Sequence, residues 1–221
     1  MDPRVIENMV QQIEAKDLST AAHTWRVVLY LRALLEARGA SHEQIFAATQ
    51  GAALHDVGKL DIPDEILQKP ARLTPEEFEV IEQHAVTGYA RMIALDVEDE
   101  TILDLVRYHH EKMDGSGYPF HLKGEEIPRI ARDFAVIDTF DAMTSHRPYR
   151  HKVGADAAEH ALDVLIEAKG TKYDPESVEL FASLYHSGAL DYILSYFNDA
   201  AALPAYGSVE DEEVTRSIRV D

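Results

Sequence analysis

Apolar residues recur along most of this chain at the spacing of an amphipathic helix, and turn signals separate the recurrent stretches. Residues 20–38 carry Trp25, Val28 and Leu31 on one face, and Gly39 follows at the position of a left-handed C-terminal cap. The sequence contains neither the two-residue alternation of a strand nor an internal repeat. The pattern therefore predicts an all-α fold, a compact bundle of about seven or more helices.

Capping signals mark several helix starts within this pattern. Ser41 and Gln44 have the spacing of a capping box, in which each side chain bonds the backbone amide of the other residue. Thr74 and Glu77 repeat the motif, with a proline at the first helical position between them. The helix that begins there is predicted to continue through Met92.

Further along the chain, the same reasoning predicts one loop and one helix toward the C-terminus. Residues 114–119 are dense in glycine and proline and are predicted to form a loop. Asp174 precedes a proline and is expected to cap a helix over residues 175–195. On the helix after Thr74, Phe78 is expected to belong to the apolar, core-facing stripe.

The order of these elements suggests three parts. Residues 1–18 are predicted to form a short leading helix, and residues 19–197 a single helical domain. Residues 198–221 are rich in small, polar and acidic residues and are expected to be a mobile tail.

Charge and composition narrow the possible functions. The chain has 40 acidic and 21 basic residues, a net charge of −19 with histidine neutral, and no cysteine. So acidic a body repels phosphate backbones, which excludes DNA and RNA as general partners, and an anionic ligand would need local positive charge such as metal cations. The absence of cysteine excludes disulfides and thiolate ligands. Without signal-peptide features or a membrane-spanning stretch, we expect a cytoplasmic protein with no membrane partner.

The eleven histidines carry most of the chemical information. Any one of them is more simply explained as a core or surface histidine bonded to a carbonyl or water. Asp138 is harder to explain in that way, because it follows Ile137 near the buried stripe, where a carboxylate is costly unless it is paired. Asp141 lies one turn later on the same face, so one carboxylate could bind a metal while the other orients a ligand histidine.

Two pairs of adjacent polar residues suggest more than one ion. His55 with Asp56, and His109 with His110, each fall at the end of a predicted helix. Adjacent residues on a helix diverge by about 100°, so such a pair straddles two ions more readily than it grips one. Imidazoles and carboxylates suit iron, manganese, zinc or cobalt, and a two-metal site is typical of phosphoryl-transfer enzymes.

Three segments in this order resemble one known family. HDVGK (residues 55–59), HHEKMDGSGYP (residues 109–119) and IDTFDAMTSHRPYR (residues 137–150) closely resemble the HD-GYP family of bacterial phosphodiesterases, a branch of the HD metal-dependent phosphohydrolases. The resemblance extends from about His23 to about Leu194. It implies an all-helical catalytic domain with a binuclear or trinuclear centre of iron or manganese. It also implies hydrolysis of cyclic di-GMP to pGpG, or onward to GMP.

The resemblance assigns roles to particular residues. Asp56 would bridge the metals, and Lys59 would face the scissile phosphate. Arg147 and Arg150 would bind substrate, and Tyr118 would line the site or present a surface to a protein partner. The metal ligands implied are His23, His55, Asp56, His84, His109, His110 and Asp138.

One departure from the family affects the number of metals. Members with three metals carry a glutamate one turn before the first ligand histidine, and here that position is Ser19. A serine hydroxyl is a poor ligand and a good helix cap, so we expect two metal ions, iron or manganese, and pGpG as the product.

Alternative functions stay open at this level. The domain could be a slow or inactive cyclic-dinucleotide receptor that docks a partner through its GYP loop, a hydrolase of another cyclic dinucleotide or of pGpG, or a di-iron oxygenase. Tyrosines near the end of the last predicted helix are explained by core packing or by a homodimer contact.

Overall fold

Helices form the regular structure of the residues that the computed structural model describes, namely 3–16, 20–144 and 155–196. They are α1 (Pro3–Lys16), α2 (Thr20–Ala37), α3 (His42–Leu54), α4 (Asp64–Leu67), α5 (Pro75–Glu82), α6 (His84–Ala94), α7 (Glu100–Tyr108), α8 (Arg129–Thr144), α9 (Ala155–Glu167), α10 (Pro175–His186) and α11 (Asp191–Tyr196). Short 3-10 turns occupy Val57–Asp61 and Gly124–Glu126. These ranges contain isolated β-bridges but no strand, so the all-α prediction is confirmed.

The predicted caps form as expected. The Ser41 side chain accepts from the Gln44 amide at the start of α3, and Thr74 accepts from the Glu77 amide at the start of α5. Both reciprocal bonds of each capping box are present. Gly39 has a φ of +74°, the left-handed conformation that ends α2.

The two long helices are each interrupted, contrary to the prediction. Helix α5 ends at Glu82, and α6 begins at His84. The Ile81 carbonyl, which a continuous helix would pair with the Ala85 amide, instead accepts from the His84 ring at 2.6 Å. The stretch predicted as one helix over 175–195 is divided between α10 and α11 by Gly188, whose φ is +76°.

The core lies between α2, α3, α7 and α8. Helix α2 packs against α3 and α8, and α3 packs against α7. Tyr30, Phe140 and Phe181 form a buried aromatic cluster where α10 packs against α2 and α8, with ring centroids 4.9–5.8 Å apart. Helix α1 joins the same core, since Val10 and Ile13 are buried. No helix in the described ranges combines the length and apolarity needed to cross a bilayer.

This packing brings several helix ends to one place. His23 lies in the first turn of α2, His55 and His109 are the C-cap residues of α3 and α7, and His84 begins α6. The buried Phe134 ring on α8 lies 5.0 Å from the His55 ring and 6.2 Å from the His109 ring, so it packs beneath both histidines.

Candidate metal centre

Three histidines are oriented by the backbone of their own helices. The Nδ1 atom of His55 lies 2.7 Å from the Ala52 carbonyl, and that of His84 lies 2.6 Å from Ile81 O. In the same way, His109 Nδ1 lies 3.0 Å from the carbonyl of the residue three positions before it. A carbonyl only accepts hydrogen bonds, so it assigns the proton to Nδ1 and leaves Nε2 as an electron-pair donor. This is the tautomer and orientation that a metal-binding imidazole needs.

His23 is oriented by a carboxylate instead. Its Nδ1 atom lies 2.8 Å from Asp141 Oδ2. Arg26, three residues along the same helix, donates to that oxygen from Nη2 at 3.0 Å and to Oδ1 from Nε. Burial would raise the pKa of Asp141, but the charge and hydrogen bonds of Arg26 and His23 lower it well below its ordinary value. The ionised carboxylate therefore holds the proton of His23 on Nδ1.

The Nε2 atoms meet in pairs. His23 Nε2 lies 3.2 Å from His55 Nε2, and His84 Nε2 lies 3.2 Å from His109 Nε2. Burial lowers the pKa of His84 and His109, so both are neutral and their facing nitrogens carry no proton to share. Two electron pairs at this distance repel each other unless a cation lies beside them. The donor set therefore fits a divalent metal ion, since imidazole suits iron and zinc and the neighbouring carboxylates also suit manganese.

Asp56 lies between the two pairs. Its Oδ2 atom is 3.3 Å from His55 Nε2, and its Oδ1 atom is 3.5 Å from His84 Nε2. The side chains that could hold an ion fall into two groups, and Asp56 belongs to both. These groups are Asp56 with His84, His109 and His110, and Asp56 with His23 and His55. Asp56 therefore joins the two groups into one continuous set of possible ligands.

Asp138 lies at the edge of this arrangement and touches both groups. Its Oδ1 atom is 3.6 Å from His23 Nε2, and its Oδ2 atom is 3.9 Å from His110 Nδ1. The structure thus brings together all seven residues that the resemblance implied as ligands.

The predicted substrate residues are only partly described. Lys59 Nζ lies 2.7 Å from Asp56 Oδ2, and 21% of the Lys59 side chain is exposed to solvent. The Tyr118 ring lies 4.6 Å from the His110 ring and forms a wall of the centre. Arg147, Arg150 and Ser19 fall outside the described residues, as does the tail over 198–221.

Some supporting residues escaped the sequence reasoning. Arg26 could have been found from its spacing, because residues three apart share a helix face with His23. Glu111, next to the paired histidines, is 2% exposed and accepts the amides of Phe120 at 2.7 Å and Leu122 at 3.0 Å. This carboxylate joins the two ends of the loop that contains Tyr118.

Replacing Asp141 with asparagine should weaken metal binding. The amide carries no charge to stabilise His23 and leaves Arg26 buried beside a neutral group. Changing such an outer partner typically lowers metal affinity about 10- to 100-fold. Competition with a chelator for Mn(II) measures the effect, with the exposed Asp163→Asn as control. An unchanged affinity in Asp141→Asn would show that His23 does not depend on this carboxylate.

Replacing Glu111 with glutamine should loosen the loop it fastens. One of the two partly buried amides would face an NH2 group rather than an oxygen, an unsatisfied contact that costs up to about 1–3 kcal/mol. Urea unfolding gives the loss of stability, and hydrogen exchange at the Phe120 and Leu122 amides gives its location. The exposed Glu125→Gln should change neither measurement. Equal exchange in the Glu111 variant would contradict the fastening role.

Known proteins match both the sequence and the fold. The sequence matches the HD domain family over residues 4–177. A cyclic di-GMP phosphodiesterase of Thermotoga maritima is 40% identical over 184 residues, covering 81% of this chain and 48% of that protein. A 3′3′-cGAMP-specific phosphodiesterase of Vibrio cholerae is 34% identical over 181 residues, covering 80% and 33%. A solved cyclic GMP-AMP phosphodiesterase of V. cholerae aligns with a TM-score of 0.63 at 16% identity, covering 96% and 57%.

The chain belongs to the HD domain family, and the predicted resemblance to its HD-GYP branch is confirmed. It spans 48% of the Thermotoga protein and 33% of the V. cholerae cGAMP-specific protein. The activities in those names belong to longer proteins.

Proposed function

We propose that this protein is a metal-dependent phosphodiesterase that hydrolyses cyclic di-GMP to pGpG. The observation that carries the proposal is the position of Asp56, one buried carboxylate within reach of two histidine groups. The seven residues brought together supply nitrogen and oxygen donors for two divalent cations, iron or manganese. When bound, such a pair supplies Lewis acidity for a phosphate and an activated water for in-line attack.

The chain's own residues prepare the centre for that reaction. Asp56 keeps its negative charge between the histidine groups: burial raises its pKa, but the neighbouring His55 ring and the Lys59 ammonium lower it well below its ordinary value. Lys59 places an ammonium group at the exposed side of Asp56, where a phosphate diester would approach. From there it can hold a phosphate oxygen or give a proton to the leaving 3′-oxygen.

The charge of the protein and the names of its relatives both support cyclic di-GMP as the substrate. A body of net charge −19 attracts an anionic dinucleotide only where positive charge is concentrated, and the proposed centre with Lys59 provides that place. The names of the relatives include cyclic di-GMP and 3′3′-cGAMP phosphodiesterases. Arg147 and Arg150 remain proposed substrate contacts on the family motif, and Tyr118 a proposed contact beside the centre.

Replacing Lys59 with methionine should slow hydrolysis without removing the metals. Loss of one charged donor to a transition state typically lowers kcat by about 100-fold or more. Lys59→Arg keeps the charge and should recover part of the rate. Metal content at saturation, measured by mass spectrometry, should match the wild type. A methionine variant with unchanged kcat would remove Lys59 from the reaction.

The proposed activity is tested with protein loaded anaerobically with Fe(II) or Mn(II). Cyclic di-GMP, 3′3′-cGAMP and cyclic di-AMP are supplied separately, and products are resolved by chromatography. Turnover of cyclic di-GMP to pGpG, with the highest kcat/KM of the three, is the expected result. Accumulation of GMP at low enzyme would contradict the expectation of two metals and a single cleavage. A higher kcat/KM for cGAMP would favour the activity named for the V. cholerae relative.

Binding without turnover would favour a different class of protein. A Kd below the micromolar range for cyclic di-GMP, with no hydrolysis under either metal, would identify a receptor that acts through a docked partner. Oxygen consumption with a candidate substrate would identify an oxygenase instead.

A further inference from the structure

Phe78 lies at the surface although its position in the helical pattern predicted a place in the core. It is 46% exposed. Helix α5, which carries it, is fixed at its first turn by the Thr74–Glu77 capping box, and Lys69 donates to the Glu77 carboxylate. The cap fixes the backbone that carries Phe78, so the exposed ring projects from an ordered helix.

The ring of Phe78 is continuous with the proposed metal centre. It meets the Tyr118 ring edge-on, with centroids 6.2 Å apart and planes at 84°. Tyr118 in turn lies 4.6 Å from His110 at 34°, a tilted stack. Aromatic surface therefore extends outward from a proposed metal ligand to Phe78.

Glu82 lies one turn after Phe78, on the same face of α5. It is partly buried, and in the described part of the chain no cation or hydrogen-bond donor pairs with its carboxylate. An acceptor without donors thus lies beside the aromatic surface.

We propose that Phe78 and Glu82 form a nucleobase subsite that selects guanine over adenine. The inference rests on the proposed function, which brings a cyclic dinucleotide to the centre. Phe78 would stack on the base, and Glu82 would accept from the N1–H and the N2 amino group of guanine. Reading a base by stacking and by hydrogen bonds to its Watson–Crick edge is common where bases are unpaired. Adenine presents an acceptor at N1, which a carboxylate repels.

Binding of GMP and AMP to the Mn(II)-loaded protein tests the subsite directly, because neither mononucleotide contains a diester to be cleaved. Wild-type protein should bind GMP about 10-fold more tightly than AMP, the discrimination typical of a bidentate base contact. Glu82→Gln should weaken GMP binding and abolish the preference. Phe78→Ala should weaken both nucleotides about 10-fold through lost stacking, and Phe78→Trp should restore them. The exposed Glu79→Gln on the same helix is the matched control.

Hydrolysis of bis(p-nitrophenyl) phosphate, which has no base, separates this inference from the proposed function. A wild-type protein that cleaves this diester yet binds GMP and AMP equally would overturn the guanine subsite and leave the phosphodiesterase proposal standing. A protein that prefers GMP through Phe78 and Glu82 but cleaves no diester would keep the subsite and overturn the activity. A GMP preference that survives in Glu82→Gln would also overturn the subsite.

Discussion

Replacing Asp56 with asparagine should reduce phosphodiesterase activity about 1,000-fold or more, because Asp56 is the residue shared by the two proposed ligand groups. Asparagine has nearly the same shape but only one oxygen and no charge, so it cannot serve both groups. The histidines lose the negative charge that attracts cations to them. Metal content should fall below two ions per chain, and mass spectrometry of protein exchanged into metal-free buffer measures it together with hydrolysis of cyclic di-GMP.

A nearby aspartate provides the control for this substitution. Asp64 begins α4 and keeps 69% of its side chain exposed, with Lys16 as its ion-pair partner at 3.4 Å. Asp64→Asn should retain metal content and activity. An Asp56→Asn protein that still binds two ions and turns over normally would show that Asp56 does not bridge them.

Gly58→Ala should be the most destabilising small substitution near the site. A Cβ at this position would lie 1.9 Å from the His84 carbonyl oxygen and 2.6 Å from the Gly88 nitrogen, both backbone atoms that cannot turn aside. Either the Asp56 segment or the start of α6 must move, and both carry proposed ligands. We expect a loss of about 3 kcal/mol or more, above the usual cost of overpacking. Urea unfolding and metal content measure the two consequences.

Gly88→Ala is the comparison variant, because its added Cβ would meet longer contacts than the one at Gly58. A Cβ there would meet the Val106 methyl at 3.1 Å and the Gly58 nitrogen at 3.2 Å, contacts that a few tenths of an ångström relieve. Because alanine also favours the helix by about 1 kcal/mol over glycine, the net change should be small. Equal losses for the two alanine variants would contradict close backbone packing at Gly58.

The sequence predicted the elements that begin with strong capping signals and missed the interruptions within two long helices. Ser41 and Thr74 cap their helices as expected, since a capping box is complete within four residues. The break before His84 has another origin, because the His84 ring donates to the Ile81 carbonyl that a continuous helix would pair with a backbone amide. The spacing of apolar residues along the helix does not reveal such a competition.

The candidate site divides in the same way. Histidine pairs and the DGSGYP loop indicated the ligand set through resemblance, and the structure brings those residues together. The residues that support the ligands are harder to predict from the sequence. Glu111 accepts from two amides at the other end of the loop, and Gly58 is required because the backbone of α6 packs against it. Phe78 was expected in the core because helical spacing cannot distinguish a core-facing ring from one left open beside a site.

The histidines are oriented in two ways, and these differ in how well they tolerate substitutions at the residues that orient the rings. Main-chain carbonyls, which every amino acid supplies, align His55, His84 and His109. Substituting the residues that provide these carbonyls therefore retains the hydrogen bonds to the rings. His23 depends on side chains from two helices, Asp141 on α8 and Arg26 on α2. A change at either of these must be compensated at the other. Divergent homologues should therefore tolerate other side chains at Ala52, Ile81 and Val106, and should keep or exchange Arg26 and Asp141 as a pair.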